Sequence, residues 1–247
     1  PRYADVLGPP IPTGEGPDAI LDTHGSFHIN QAAYVDLPLL LTTLRQHFAV
    51  TGAFRDETFM HAALKREPTG WAYRDVEADK VIFCEGVGMR DNPWFNDLPL
   101  TPAKGETLTV ECPTLELPRA IYHHRKWILP YGDHSFRIGA TFSNHDPSPE
   151  PTQAGAQELL ESVRSFITAE HTLTIRQHLA GLRPTTKDSR PLIGEHPTER
   201  GLHVFNGLGA KGASLAPELT RQFLAHLLEG EPLDPEIDIA RCLEPTT

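Results

Sequence analysis

From Asp36 the chain takes up a helical rhythm. Leu37, Leu40, Leu41, Leu44 and Phe48 recur at three- and four-residue spacing, which gathers them on one stripe of an α-helix. Asp36 is placed to cap the first amides, Pro38 falls in the first turn, and Gly52 supplies a stop. A second stripe, Leu159, Leu160, Val163, Phe166 and Ile167, predicts a helix over 153–168. A third helix is expected from about 214 to 229, ended by Gly230.

Between these helices the pattern shortens to strand length. Strands are expected at 19–22 and 26–30 as a pair flanking His24 and Gly25, then at 58–64, 70–74 and 80–84. The last, KVIFC, is nearly continuous in apolar residues, as in a strand buried on both faces. After a Pro-rich loop over 91–102 come 106–111, 120–129, 135–142 and, later, 202–206, with Arg183 at the centre of a loop. Residues 1–18, rich in Pro and Gly, read as an irregular lead-in. Antiparallel-looking strands with a strand–loop–helix near the end predict an α/β (α+β) fold with a second sheet.

The 247 residues are enough for a substantial core, in one large domain or two interleaved ones. A net charge of −11 argues against a general nucleic-acid or anionic-membrane binder, yet leaves room for a local cationic pocket. The 3 cysteines, Cys84, Cys112 and Cys242, have no metal-ligand spacing and cannot all pair, so a reduced, cytoplasmic setting is expected. No apolar run approaches the roughly 18–20 residues of a membrane span. The chain opens on Pro1 rather than Met, which reads as a cut or processed end.

Gly207, Gly209 and Gly212 satisfy G-x-G-x-x-G between an expected strand and an expected helix. A dinucleotide fingerprint also needs a second parallel strand ending in a ribose-binding acid, and the Pro-containing sequence after Gly230 offers none. The motif is therefore expected to be a decoy for a pyrophosphate cradle. Two uses remain open. Unpaired amides at the helix start could stabilise negative charge on a flat ligand approaching the glycines, or the segment is simply a glycine-rich turn.

Several segments, in order, carry a resemblance: VIFCEG at 81–86, PWF at 93–95, LPL at 98–100, PAKGE at 102–106, IYHHRKWILP at 121–130 and RIGAT at 137–141. AGLRPTTKDSRPLIG at 180–194 follows, then GLHVFNGLGAKG at 201–212 and LAP at 215–217. Together they resemble the D-amino-acid oxidase superfamily, in particular its glycine oxidase and sarcosine oxidase type. The resemblance implies an FAD-binding domain interleaved with a substrate domain on an antiparallel or mixed sheet. By that analogy 19–34 and 96–182 form the substrate domain, and 35–95 and 183–247 belong to the FAD-binding domain. The family's opening strand, glycine loop and helix are not found, so the FAD-binding domain is expected to be incomplete, the flavin weakly held and the exposed flank prone to dimerise.

The implied reaction is oxidation of an amine or amino acid by hydride transfer to flavin N5, with no protein base assigned. A non-catalytic binding or assembly subunit, and the oxidase-like half of an RNA-modifying enzyme, are the alternatives; no direct nucleic-acid contact is expected from so acidic a chain. Arg183 matches the family position that binds the substrate carboxylate, a role suited to its planar fork; otherwise it makes a structural ion pair, with Asp188 as the nearby acid. Trp127 matches a substrate-site aromatic and Tyr122 is a second substrate candidate; alternating along a strand they need not share a face, and both also suit sheet packing. Cofactor contacts are implied for Gly86 and for the backbone of Gly207, Leu208, Gly209, Ala210, Lys211, Gly212 and Ala213. Lys211 is either near the flavin's pyrimidine end or a solvated loop side chain, and Phe59 aligns with a strand that meets the adenine. No metal site is expected; His123 and His124, adjacent on a strand, would point to opposite faces.

Overall fold

The computed structural model describes residues 5–118 and 120–243; Pro1, read above as a cut end, lies outside them. Numbered along the chain, the strands begin with β1 Leu7–Ile11, β2 Ser26–Ile29, β3 Leu64–Glu67, β4 Gly70–Tyr73, β5 Val76–Ala78 and β6 Val81–Phe83. They continue with β7 Ala103–Glu111, β8 Tyr122–His124, β9 Lys126–Pro130, β10 Ser135–Gly139, β11 Thr174–Arg183, β12 Leu192–Glu195 and β13 Leu202–Asn206. Three α-helices, α1 Leu37–Val50, α2 Gln153–Arg164 and α3 Gly212–Glu229, complete the longer elements. The chain divides into two compact units, one of residues 1–34 with 103–182 and the other of 35–102 with 183–247.

The first unit is built on a five-stranded sheet in the order β11-β7-β10-β9-β8. β7 alternates cleanly, and its even positions from Leu108 to Val110 face α2. Leu159 and Val163 of α2 pack there with Ile128, Phe136 and Ile138. The same face of β7 continues into two charged residues, Lys104 and Glu106, both buried. Lys104 Nζ lies 2.6 Å from Asp146 Oδ2 and 3.7 Å from Glu106 Oε1. Glu106 accepts from Thr152 N and Thr152 Oγ1, each at 2.8 Å, and so grips the start of α2. Burial alone would raise the Glu106 pKa, but the Thr152 bonds, His178 and Lys104 together hold it below the ordinary carboxylate value. A Cβ on Gly155 would come within 2.5 Å of that carboxylate, so glycine is the residue that lets helix and acid meet.

The second unit holds two three-stranded sheets, β12-β13-β6 and β3-β4-β5. In the former, β13 pairs parallel with β6 and antiparallel with β12. Alternation sends Leu202 and Val204 to a core with Trp71, Phe83, Met89 and Phe95. On the opposite face Ile193 and Phe205 meet Leu219 and Phe223 of α3. Gly230, at φ +75°, ends α3 in the left-handed conformation that glycine adopts without strain.

Several expectations need correction. The lead-in is not irregular throughout, because β1 pairs with β2, leaving Ile20 only an isolated bridge to Ile167. That bridge, with Leu21 N donating to Phe166 O at 2.8 Å, draws 165–168 out of the helix expected there. The strand expected over 120–129 folds back on itself as β8 and β9, with Arg125 at φ +61° in the turn. Residues 58–60 are not extended strand, and 61–63 form a short 3-10 helix before β3. β6 is an edge strand with Ile82 42% exposed, not a strand buried on both faces. Arg183 closes a ten-residue strand rather than centring a loop. Among the described residues no helix is long and apolar enough to cross a membrane, and Cys84, Cys112 and Cys242 are free thiols.

Candidate cofactor and substrate site

Because β6 and β13 run parallel, both release the chain at the same edge of their sheet, the edge where open α/β sheets hold ligands. β6 leads to Gly86 and β13 to Gly207. One side chain spans the two exits: buried Asn206 donates from Nδ2 to Gly86 O at 2.8 Å and accepts from Gly207 N through Oδ1 at 2.9 Å. Sequence reading missed Asn206; its signal was an amide ending an apolar strand directly before the glycines.

The glycines here do different things. Gly86 has φ +56° and nothing within 4 Å of where a Cβ would stand, so its main chain is open to a ligand. A Cβ on Gly207, at φ +75°, would come within 3.0 Å of Leu192 N and 3.1 Å of Thr186 Cγ2. A Cβ on Gly209, at φ +55°, would similarly stand 3.1 Å from Thr185 Cγ2. The packing and backbone angles of these two account for glycine without any ligand. Leu208 is half-buried on the α3 side, whereas Ala210, Lys211 and Ala213 are exposed. No side chain caps the amides that open α3; Lys211 is its N-cap residue, and Ser214 Oγ donates back to Lys211 O. After α3 a 3-10 helix, Ile239–Cys242, and one isolated bridge between Ile193 and Asp238 stand where a dinucleotide fold needs a parallel strand.

Arg183 is tied to this turn through its neighbours. Pro184 O accepts from Gly209 N at 3.1 Å, and Thr185 N donates to Arg183 O at 2.9 Å. Arg183 is half-buried, and burial pushes its guanidinium pKa down. Asp188, the acid considered above as its partner, makes its ion pair with Arg241 at 3.2 Å. Phe59 stacks on Tyr73 at 4.3 Å between centroids and meets the edge of Phe83 at 6.0 Å. It belongs to an aromatic cluster beside the end of β6, where His61 Nε2 lies 2.7 Å from Glu85 Oε1.

Trp127 and Tyr122 lie in the other unit, on opposite faces of its sheet. Tyr122 pairs with Ile128, packs on the α2 core and donates to Pro118 O at 3.3 Å. Its burial raises the phenol pKa. Trp127 pairs with His123 and with Gly139, whose missing side chain leaves the space the indole fills. The two side chains thus fall on opposite faces, as their alternation along the segment allowed, because the β8–β9 turn brings Tyr122 opposite Ile128.

The architecture, a parallel strand pair with glycine exits in one unit and a mainly antiparallel sheet in the other, is that of the glycine oxidase fold. The crystal structure of glycine oxidase from Geobacillus kaustophilus superposes with a TM-score of 0.73 at 25% identity, over 90% of this chain and 61% of that one. Residues 9–222 match the family described as FAD dependent oxidoreductase (DAO), and the chain belongs to that family. FAD is the family's cofactor. Glycine oxidase from Bacillus subtilis (strain 168) is 30% identical over 203 residues, 79% of this chain and 52% of its own length. The tRNA 5-methylaminomethyl-2-thiouridine biosynthesis bifunctional protein MnmC of Azoarcus sp. (strain BH72) is 28% identical over 74% of this chain and 32% of its own. The chain spans about half the length of the glycine oxidases it matches.

Proposed function

We propose that this chain contributes to an FAD-dependent oxidation of a small amine or amino acid, with the second unit meeting the flavin and the first serving the substrate. The observation that carries this reading is the junction of Gly86 and Gly207 through Asn206, which leaves Gly86 open and the α3 amides without a side-chain cap. Such a place fits a flat, electron-accepting ring: main chain can approach closely, and oriented amides favour the negative charge of the reduced form. FAD, when bound, would accept the hydride at N5 and leave an imine for water to hydrolyse.

The chain's own residues bind and orient. In this reading the backbone of 207–213 and Gly86 hold the ring, and Phe59 with its aromatic neighbours borders the same strand exit. Arg183, half-buried and joined through Pro184 and Thr185 to the glycine turn, holds the substrate carboxylate by two parallel hydrogen bonds. Tyr122, turned to the α2 core, is a packing residue.

The test is anaerobic reduction with FAD supplied in excess. Glycine, sarcosine and related amino acids should bleach the flavin's visible band, and Arg183→Ala should weaken the dependence on amino acid by about 2–5 kcal/mol of lost binding. A flavin that no amine bleaches would overturn the reading, and an Arg183→Ala protein with unchanged concentration dependence would remove Arg183 from it. The likeness to MnmC favours a second reading, in which the amine is carried on a tRNA. Bleaching by the modified RNA and not by free amino acids would select it.

A further inference from the structure

β13 carries a histidine where its register calls for an apolar residue. His203 is 3% exposed, and neither Nδ1 nor Nε2 has a hydrogen-bond partner. The ring lies under α3, in edge contact with Phe223 at 5.9 Å between centroids. Its flanking cross-strand neighbours are Ile82 of β6 and Glu195 of β12. Such a ring is tolerated while neutral, at the cost of two unmet polar atoms; protonated, it would hold a charge and two donors in an apolar layer with no acceptor within hydrogen-bond reach of either nitrogen.

We propose that His203 is an acid-sensitive latch, which keeps α3 seated on the sheet while its ring is neutral and loosens the helix when the ring takes up a proton. The layer that holds α3 is apolar, with Ile193, Leu219, Phe223, Leu233 and Ile237 buried and Phe205, Leu208, Leu215 and Leu227 half-buried around them, so a charge there meets no polar side chain of the layer. The charged and titratable groups facing His203 are Glu195, Lys80 and His226. Burial is the main force holding the ring's pKa below the ordinary histidine value; His226 and Lys80 act the same way, and Glu195 acts against them. The Glu195 carboxylate already accepts from Gly201 N at 2.8 Å, which spends part of its capacity to receive the imidazolium.

The sign follows from linkage. A histidine with a depressed folded pKa contributes full stability above its ordinary value of about 6.5, and loses it as pH falls below that value while the opened form alone binds the proton. Amide hydrogen exchange, corrected for the intrinsic pH effect, reads this directly. Protection of α3 should fall by up to about tenfold per pH unit below about pH 6.5, while the β7–β10 strands change far less. His203→Phe should remove the extra pH dependence, and His226→Gln should keep it. The same α3 decline in His203→Phe, or its loss in His226→Gln, would overturn the latch. Should His203→Phe not fold, histidine-labelled NMR of the wild-type protein decides: a ring that stays neutral well below about pH 6.5 supports the proposal, and one titrating at the ordinary value overturns it.

Discussion

Helices α1 and α2 begin alike and end in opposite circumstances. Each has a side-chain cap, Asp36 Oδ1 accepting from Leu39 N at 3.2 Å and Thr152 Oγ1 accepting from Gly155 N at 3.0 Å. Each carries leucines at helical spacing. Yet α2 buries Gly155, Leu159 and Val163 against β7, β9 and β10, whereas α1 buries no residue, and Leu41 stays 61% exposed. An apolar stripe therefore specifies the local element, and burial is decided separately by what the fold sets beside it. α2 gains a further hold, because its cap residue Thr152 is itself gripped by the buried Glu106.

The widest gap should appear at that grip. Glu106→Ala takes one carboxylate away from the buried Lys104 and releases the start of α2, and we expect a loss of about 3–5 kcal/mol in urea unfolding. No residue of α1 should show such an effect; one that did would break the contrast. Next comes the stripe. Leu159→Ala should cost about 2–5 kcal/mol, and Leu41→Ala should stay within roughly 0.5 kcal/mol. The caps follow, with Thr152→Ala expected to cost about 1–2 kcal/mol and Asp36→Ala nearer 0.5 kcal/mol, since only Thr152 also donates to the buried acid. Last is pH. With its folded pKa held down, Glu106 contributes full stability above the ordinary carboxylate range and loses it as pH falls through the folded value. Melting of wild type and Glu106→Gln should therefore converge as pH drops below the ordinary carboxylate value.

Much of this was legible in the residues. The extent of α1 from Asp36 to Gly52, the strand 202–206 and the end of α3 at Gly230 all follow from local periodicity and caps. What local pattern could not give was pairing at a distance. β2 is claimed by β1 rather than by the segment around Ile20, and β11, ten residues with several polar positions, stands at the end of the five-stranded sheet. At the site, Gly207 and Gly86 were visible as glycines, but Asn206, which ties them, has meaning only once β6 and β13 are neighbours. Lys104 and Glu106 carried a usable signal: two charges continuing the inward alternation of β7 imply a buried ion pair. His203 sits inside an apolar strand and gave the same kind of signal.

Asn206 and Gly207 also form the chain's one Asn–Gly step. In such a step the side-chain amide is open to attack by the following backbone nitrogen, and the succinimide that forms reopens to aspartate or isoaspartate. Here that nitrogen already donates to Asn206 Oδ1, within a buried turn. The conversion would exchange the Nδ2 donor for an oxygen facing Gly86 O, turning an attraction between the two strand exits into a repulsion. Chemical ageing of this molecule thus has a defined target, and a folded preparation stored long at alkaline pH would lose the tie between the exits of β6 and β13 before its cores were touched.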